Sequence, residues 1–251
     1  MSVVHLDELP LGPEVSLLVR DDNGLAALSK PEGILSQPAN DGKDTSRTLL
    51  AASYDETEEC YHWKTPAGET RRIWLINRLD SATSGLIMAA TSGALAREVR
   101  AQFQRRQISK AYMALVFGAP RKPEETWRDV LNVRKFAGHI RTIAGSGNLP
   151  AESRMALVRT GQAARRVSLI KLEPHTGRSH QLRVQCAKRG LPIVGDRTYG
   201  NFPANREFSR AGGPKRMFLH SMSVAFDYEF NGRKNSFAAV APLPPEFEQF
   251  E

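Results

Sequence analysis

Cysteine is nearly absent from this chain. Two occur in 251 residues, Cys60 and Cys186. They are too few for a disulfide framework and do not form a metal-spaced pair, so a reducing, cytoplasmic setting is the natural reading. No apolar run approaches the roughly 20 residues needed to span a bilayer, so no membrane partner is expected. The N-terminal MSVVHLDELPLGPE lacks a basic segment followed by an apolar core, which excludes a secretory signal. The sequence also has no Gly-rich phosphate loop, no dinucleotide fingerprint and no nucleophile elbow. Histidines stand at 5, 62, 139, 175, 180 and 220 without ligand spacing; His175 and His180 flank a turn rather than share a helix face. Chemistry is therefore expected from ordinary side chains, with no cofactor and no metal.

What is present is a normal globular composition, 41% apolar and 25% charged, so a packed core is expected. The length allows one large domain or two small ones. The net charge is +8, unevenly spread. Residues 1–60 hold twelve acids and four bases, a net of −8, so the remainder carries +16. Arg97–Lys110, Arg159–Arg189 and Arg197–Arg216 concentrate it. A basic half of this strength suits a polyanion, RNA or DNA; a merely solvated outer face is the alternative.

Residues 1–15 read as an irregular N-terminal arm broken by Pro10, Gly12 and Pro13, with one catalytic domain over 16–251. VSLLVRDDNGLAALSKPEGI predicts two strands around Asp22-Asn23-Gly24. A short helix is expected near Thr48–Tyr54. IWLINRL (73–79) and GLIMAA (85–90) predict strands joined by the loop Asp80–Ser84, and a helix is expected over 93–106, where Leu95, Val99 and Phe103 recur every four residues. KAYMALVFG (110–118) predicts a strand, and several short strands are expected over 119–166. RRVSLIKLEP (165–174) predicts another. HQLRVQCAKR (180–189) predicts a helix with Ser179 as N-cap and Gly190 as C-cap. Closing strands are expected over 216–230 and 235–241. Strands outnumber helices without regular alternation, which favours α+β over a doubly wound sheet.

Two segments could carry chemistry. In INRLDSATSGLIMAA (76–90), alternation on the expected strand puts Arg78 and Asp80 on one face, opposite Leu79. A strand-end ion pair with a turn-capping aspartate would account for this as well. In EPHTGRSHQLRVQCAKRGLPIVGDRTYG (173–200), Arg178, Ser179 and His180 occupy the expected first turn of a helix, where free N–H groups attract anions such as phosphate. A capped amphipathic helix with surface arginines is the plainer alternative.

Taken together, four blocks in order resemble the RluA family of pseudouridine synthases, which modify ribosomal and transfer RNA. ALSKPEGILSQP (27–38) is similar to the family's Lys-Pro-x-Gly-Leu segment, and NRLDSATSGLIMAA (77–90) to its catalytic loop. ISKAYMALVFG (108–118) is similar to its Lys-x-Tyr strand, and TGRSHQLRVQCAKRGLPIVGDRTYG (176–200) to Gly-Arg-x-His-Gln-Leu-Arg followed by Pro-Ile-x-Gly-Asp. The resemblance implies the α+β pseudouridine synthase fold, a mixed, mostly antiparallel sheet with flanking helices and a central RNA-binding cleft. It implies a cofactor-free isomerase acting on uridine in rRNA or tRNA as a monomer, without a separate N-terminal S4 domain. It implies Asp80 as catalytic aspartate, Arg183 as the arginine that pairs with it, and Tyr112 as the tyrosine that stacks on the uracil and can shuttle a proton. Arg78 would fill the gap left by the flipped base, and Arg178, His180 and Lys110 would contact RNA. Asn77, Gln37 and Gln185 depart from the family's frequent histidines. The competing readings are a catalytically silent RNA-binding protein and an N-glycosidase that releases the base.

Overall fold

Leu25–Lys30 (β2) and Ser84–Ala90 (β6) pair antiparallel, from Leu25 opposite Ala90 to Lys30 opposite Gly85. Almost every residue of both strands is buried. That is why each reads as an unbroken apolar run: a strand covered on both faces has no polar side to alternate with. Leu25, Ala27, Leu86, Met88 and Ala90 face one core with Leu95, Ala96 and Val99. Ala26, Leu28, Ile87 and Ala89 face another with Leu6, Leu9, Leu49 and Leu50. Full burial of each such leucine or isoleucine stabilises by about 1.5–3 kcal/mol.

The computed structural model describes residues 6–38, 45–136, 139–145, 147–161 and 167–249. The chain comprises two compact units, Met1–Ser109 with Ser223–Ala241, and Lys110–Met222 with Pro242–Glu251. No described helix is long and apolar enough to cross a membrane.

In the first unit, Ser16–Arg20 (β1) pairs with β2. Asp21 closes their turn by accepting the amides of Asn23 (3.0 Å) and Leu25 (2.8 Å), while Tyr228 hydrogen-bonds to Asp21. Ser53–Asp55 (β3), Cys60–Lys64 (β4) and Thr70–Leu75 (β5) follow, and the helix α1 spans Gly93–Gln104. Ser92 caps α1 by accepting the Leu95 amide. The strand order is β3-β4-β5-β6-β12, where β12 is Leu219–Phe230, and Arg233–Val240 (β13) pairs with β12.

Two expectations fail in this unit. No helix forms over Thr48–Tyr54. The Thr48 hydroxyl lies 2.8 Å from the Thr45 carbonyl and 2.6 Å from that of Leu50, a local bonding that competes with helix. Leu50 instead bridges Leu11. In the described part of the irregular arm, Leu6 and Leu9 are buried and Gly12 donates its amide to the Leu49 carbonyl. A β-carbon at Gly12 would lie 1.9 Å from the Thr48 carbonyl oxygen, so only glycine allows this lacing. Lastly, the strand expected over 73–79 ends at Leu75. Ile76 donates to the Met88 carbonyl, but the Met88 amide is then taken by the Asn77 side chain, Oδ1 at 2.7 Å, which ends the backbone ladder.

The second unit contains Ser109–Phe117 (β7), Glu124–Phe136 (β8), His139–Ala144 (β9), Leu149–Thr160 (β10) and Val167–Pro174 (β11). Its order is β12-β7-β11-β10-β8-β9. Over 119–166 the chain forms long strands, 13 residues in β8 and 12 in β10, not the short ones expected. The expected start of β11 at Arg165 and Arg166 lies outside the described residues. Helix α2 is Gln181–Lys188, and a helix not anticipated from sequence, α3, is Phe202–Arg210. Asn201 caps α3 and Pro203 stands in its first turn, but the helix is only 9 residues long and meets its core chiefly through Phe208, too little for an apolar repeat to stand out. At the end of α2, Gly190 adopts φ +68° and the Leu191 amide returns to the Cys186 carbonyl, as a glycine C-cap predicts.

Candidate active site

Asp80 sits half-buried in the loop between β5 and β6, in the first unit. The segment 77–80 is not strand, so the alternation that put Arg78 and Asp80 on one face does not apply. The loop is instead held on either side of Asp80 by the preceding Lys30–Ser36 segment. Ser36 accepts the Leu79 amide at 3.0 Å and donates its hydroxyl to the Leu79 carbonyl at 2.7 Å. Tyr61 holds Ser36 in turn, donating to its carbonyl at 2.9 Å. Lys30 is wholly buried, and its Nζ donates to the carbonyls of Pro31 (2.9 Å), Ile34 (2.7 Å) and Ser81 (3.0 Å). A buried ammonium is tolerated because carbonyl oxygens replace its hydration. The Asp80 carbonyl accepts the Thr83 amide, and Thr83 and Ser84 are buried.

Arg78 is exposed and pairs with Glu59 at 2.9 Å, with Gln37 3.4 Å away. Arg100 bonds the other Glu59 oxygen at 3.1 Å and donates to the Leu75 carbonyl. Asn77 and Gln37, two of the three departures from the family pattern, thus have structural partners in this chain.

The remaining candidates lie in the second unit. Lys110 and Tyr112 share one face of β7, both half-buried, while Ala111 and Met113 face the core as alternation predicts. Burial lowers the Lys110 pKa. A β-carbon at Gly177 would stand 3.9 Å from Lys110 Nζ, so this ammonium lies against the Thr176-Gly177-Arg178 loop.

At the head of α2 the expected Ser179 cap is not made. His180 occupies the cap position in the left-handed region, φ +55°, without a side-chain cap bond. Gln181 takes over the local bonding: its Oε1 accepts the Arg178 amide (3.0 Å) and the Thr176 hydroxyl (2.7 Å). The Ser179 carbonyl accepts from Thr142 of β9 at 2.8 Å. His180 Nδ1 lies 2.9 Å from the Tyr199 hydroxyl, which also accepts the Thr142 amide at 2.8 Å. Arg178 Nε reaches the Pro150 carbonyl at 3.4 Å.

Arg183 is buried and meets Asp196 in a two-pronged ion pair, Nε–Oδ2 2.7 Å and Nη2–Oδ1 2.8 Å. Its guanidinium carbon lies 5.1 Å from the centre of the Tyr199 ring. Asp196 Oδ1 also accepts the amides of Thr198 and Tyr199. Burial alone would raise the Asp196 pKa, but the guanidinium and the two amides outweigh it and hold the carboxyl below its ordinary range. Gln185, the third departure, is fully buried and joins Ser153 (2.7 Å) to Asp129 (2.9 Å), which also binds Lys188 and Arg189.

Sequence reasoning missed the roles of Lys30, Ser36, Asp196 and Tyr199. The signal for Asp196 was its place after Gly195, whose φ of +78° and a β-carbon position 1.7 Å from the Arg216 carbonyl oxygen admit only glycine. Among the described residues, no three His, Cys, Asp or Glu side chains cluster in a way that could hold a metal ion.

Residues 24–188 match the family model for RNA pseudouridylate synthases. The dual-specificity RNA pseudouridine synthase RluA of Escherichia coli K12 is 32% identical over 92% of this chain and 95% of its own length. The tRNA pseudouridine synthase C of Haemophilus ducreyi is 29% identical over 90% of this chain and 91% of its own. In fold, the human RNA pseudouridylate synthase domain containing 1 superposes with a TM-score of 0.65, covering 92% of this chain and 85% of that one at 24% identity. Architecture, motif order and relatives agree: the chain belongs to the RNA pseudouridylate synthase family and is an RNA-isomerising enzyme with its α+β fold.

Proposed function

We propose that this enzyme converts uridine to pseudouridine in ribosomal or transfer RNA, with the Asp80 carboxylate as its essential group. The observation that carries the reading is the fixation of the Asp80 loop: both neighbours of Asp80 are bonded to the Lys30–Ser36 segment. A carboxylate on a rigid loop meets the reacting sugar and base without reorganising.

The reaction is balanced within the substrate. The bond between uracil N1 and ribose C1′ breaks, the base turns, and C5 bonds to C1′. A proton leaves C5 and a proton is gained at N1, so nothing is oxidised or hydrolysed. Asp80 stabilises or traps the separated fragments. Tyr112 supplies a ring to stack on the uracil and a hydroxyl to receive the C5 proton. Arg183 contributes a cation oriented by Asp196. The target base leaves its stack at a cost of a few kcal/mol. Arg78 fills the vacated place, and Lys110, Arg178 and His180 hold the backbone. Two buried free thiols, Cys60 and Cys186, suit a cytoplasmic enzyme, which we take to act as a single chain.

The test is to incubate the purified chain with cellular RNA and assay pseudouridine and free uracil. Pseudouridine from the wild type, none from Asp80→Asn, and RNA affinity kept within a few-fold are expected. Free uracil would assign a glycosidase, and neither product would assign a silent RNA-binding protein.

A further inference from the structure

Charged faces in the second unit come in two kinds. On the outward side of β8, β10 and β11 the charges neutralise one another. Arg154 bonds Glu124 at 2.6 Å, Lys171 bonds Glu173 at 2.6 Å, and Arg128 bonds Glu152 at 3.2 Å. Such a face is solvated and has little excess field. Residues 197–216 differ, with five bases, Arg197, Arg206, Arg210, Lys215 and Arg216, against one acid, Glu207. Arg216 pairs with Glu246. Arg197, Arg206, Arg210 and Lys215 are exposed and make no ion pair among the described residues.

Helix α3 orders part of this charge. Phe202, Arg206 and Arg210 recur every four residues, so they stand on successive turns about 6 Å apart along one ridge. All three are exposed, Phe202 by half its surface. The opposite side of α3 is anchored. Phe208 packs against Phe117 and Phe218, and Asn205 accepts the Gly195 amide (2.8 Å) while donating to the Asp196 carbonyl (3.2 Å). The ridge is therefore rigid, and it is fixed to the turn that carries the Asp196 partner of Arg183.

We propose that the Phe202–Arg206–Arg210 ridge is a second RNA contact, separate from the residues that handle the target uridine. The two arginines bind backbone phosphates, and Phe202 stacks on an unpaired base. Unpaired cations interleaved with an exposed aromatic ring suit RNA, which offers both anions and flat bases. The proposal rests on the reading of the chain as an enzyme that acts on RNA.

The experiment measures affinity for a substrate RNA across a salt series. Arg206→Gln/Arg210→Gln is expected to weaken binding and to flatten the slope of log K against log salt by about 1.4, at about 0.7 per phosphate for single strands. Phe202→Ala is expected to weaken binding fivefold or more without changing that slope. The controls Arg128→Gln and Arg154→Gln, on the self-neutralised face, are expected to change neither. Wild-type affinity and slope in the double variant would overturn the ridge as a contact. Pseudouridine formation by the wild type is scored in parallel. If it occurs while the ridge variants bind normally, only the ridge is lost. If it fails while the ridge variants weaken binding, the enzymatic reading is lost and the ridge stands.

Discussion

The guanidinium of Arg183 and the carboxylate of Asp196 meet through two parallel hydrogen bonds of 2.7 and 2.8 Å, with both side chains almost wholly out of water. Removing one partner strands the other as a buried charge. Arg183→Ala is expected to lower stability by about 3–5 kcal/mol, and Asp196→Asn to act in the same direction. Replacing both by apolar residues of similar size should cost less than either single change. Chemical denaturation of the four proteins measures this. A single variant as stable as wild type would mean the pair contributes nothing.

The same carboxylate makes stability depend on acid. Asp196 and Asp129 are both held below the ordinary value of 3.8 despite burial, Asp196 by Arg183 and Asp129 by Lys188, Gln185 and Arg189. A carboxyl with a depressed folded pKa contributes stability above its unfolded value. That contribution is lost as pH falls through the lower, folded value. Stability is expected to decline as pH drops below about 5, with each such group contributing at most about 1.4 kcal/mol per pH unit. Asp129→Asn should lower stability at neutral pH and flatten the acid limb. Urea titrations between pH 3 and 7 test the sign, and a steeper limb in the variant would contradict it.

Much of the fold was legible because β2, β6 and β7 announce themselves as apolar runs and α1 as a four-residue repeat. The limits of legibility are local. The end of β5 was set by an Asn77 side chain taking a bond that a backbone carbonyl would otherwise take, which strand alternation does not express. Helix α3 is only 9 residues long and meets its core chiefly through Phe208, so no apolar repeat stands out in its sequence. The long strands of 119–166 were not foreseen, and β10 runs through Pro150, opposite Val130 of β8, although proline cannot donate to a ladder. Asp80 was singled out by its motif, but the means of holding its loop were not legible. Lys30 looks like a surface lysine at a strand end until its three carbonyl partners are seen, one of them 51 residues further on.

Lys30→Met tests that clamp. Methionine fills similar space but leaves the carbonyls of Pro31, Ile34 and Ser81 without their shared donor. Each orphaned acceptor costs about 1–3 kcal/mol unless water reaches it, so a net loss of about 2–5 kcal/mol is expected. Ser36→Ala, which frees only Leu79, should cost less. In both, turnover at saturating RNA should fall more than RNA affinity, because the loop that loosens carries the carboxylate. Equal stability and turnover in Lys30→Met would show that the clamp is dispensable.

Tyr112→Phe separates the two roles proposed for this side chain. Tyr112 is half-buried on the Lys110 face of β7, while Ala111 and Met113 are in the core, so its ring is not simply core filling. Phenylalanine keeps the stacking surface, worth about 1–3 kcal/mol on a base. It deletes the hydroxyl, whose proton-shuttling contribution is typically about 10²–10⁴-fold in rate. The phenylalanine variant is therefore expected to bind RNA normally and to form pseudouridine at least about a hundredfold more slowly. Tyr112→Leu should lose both affinity and rate. The measurements are RNA affinity and single-turnover pseudouridine formation for each. If the phenylalanine variant turns over at nearly the wild-type rate, Tyr112 is a stacking platform only, and the C5 proton must go to another group or to water.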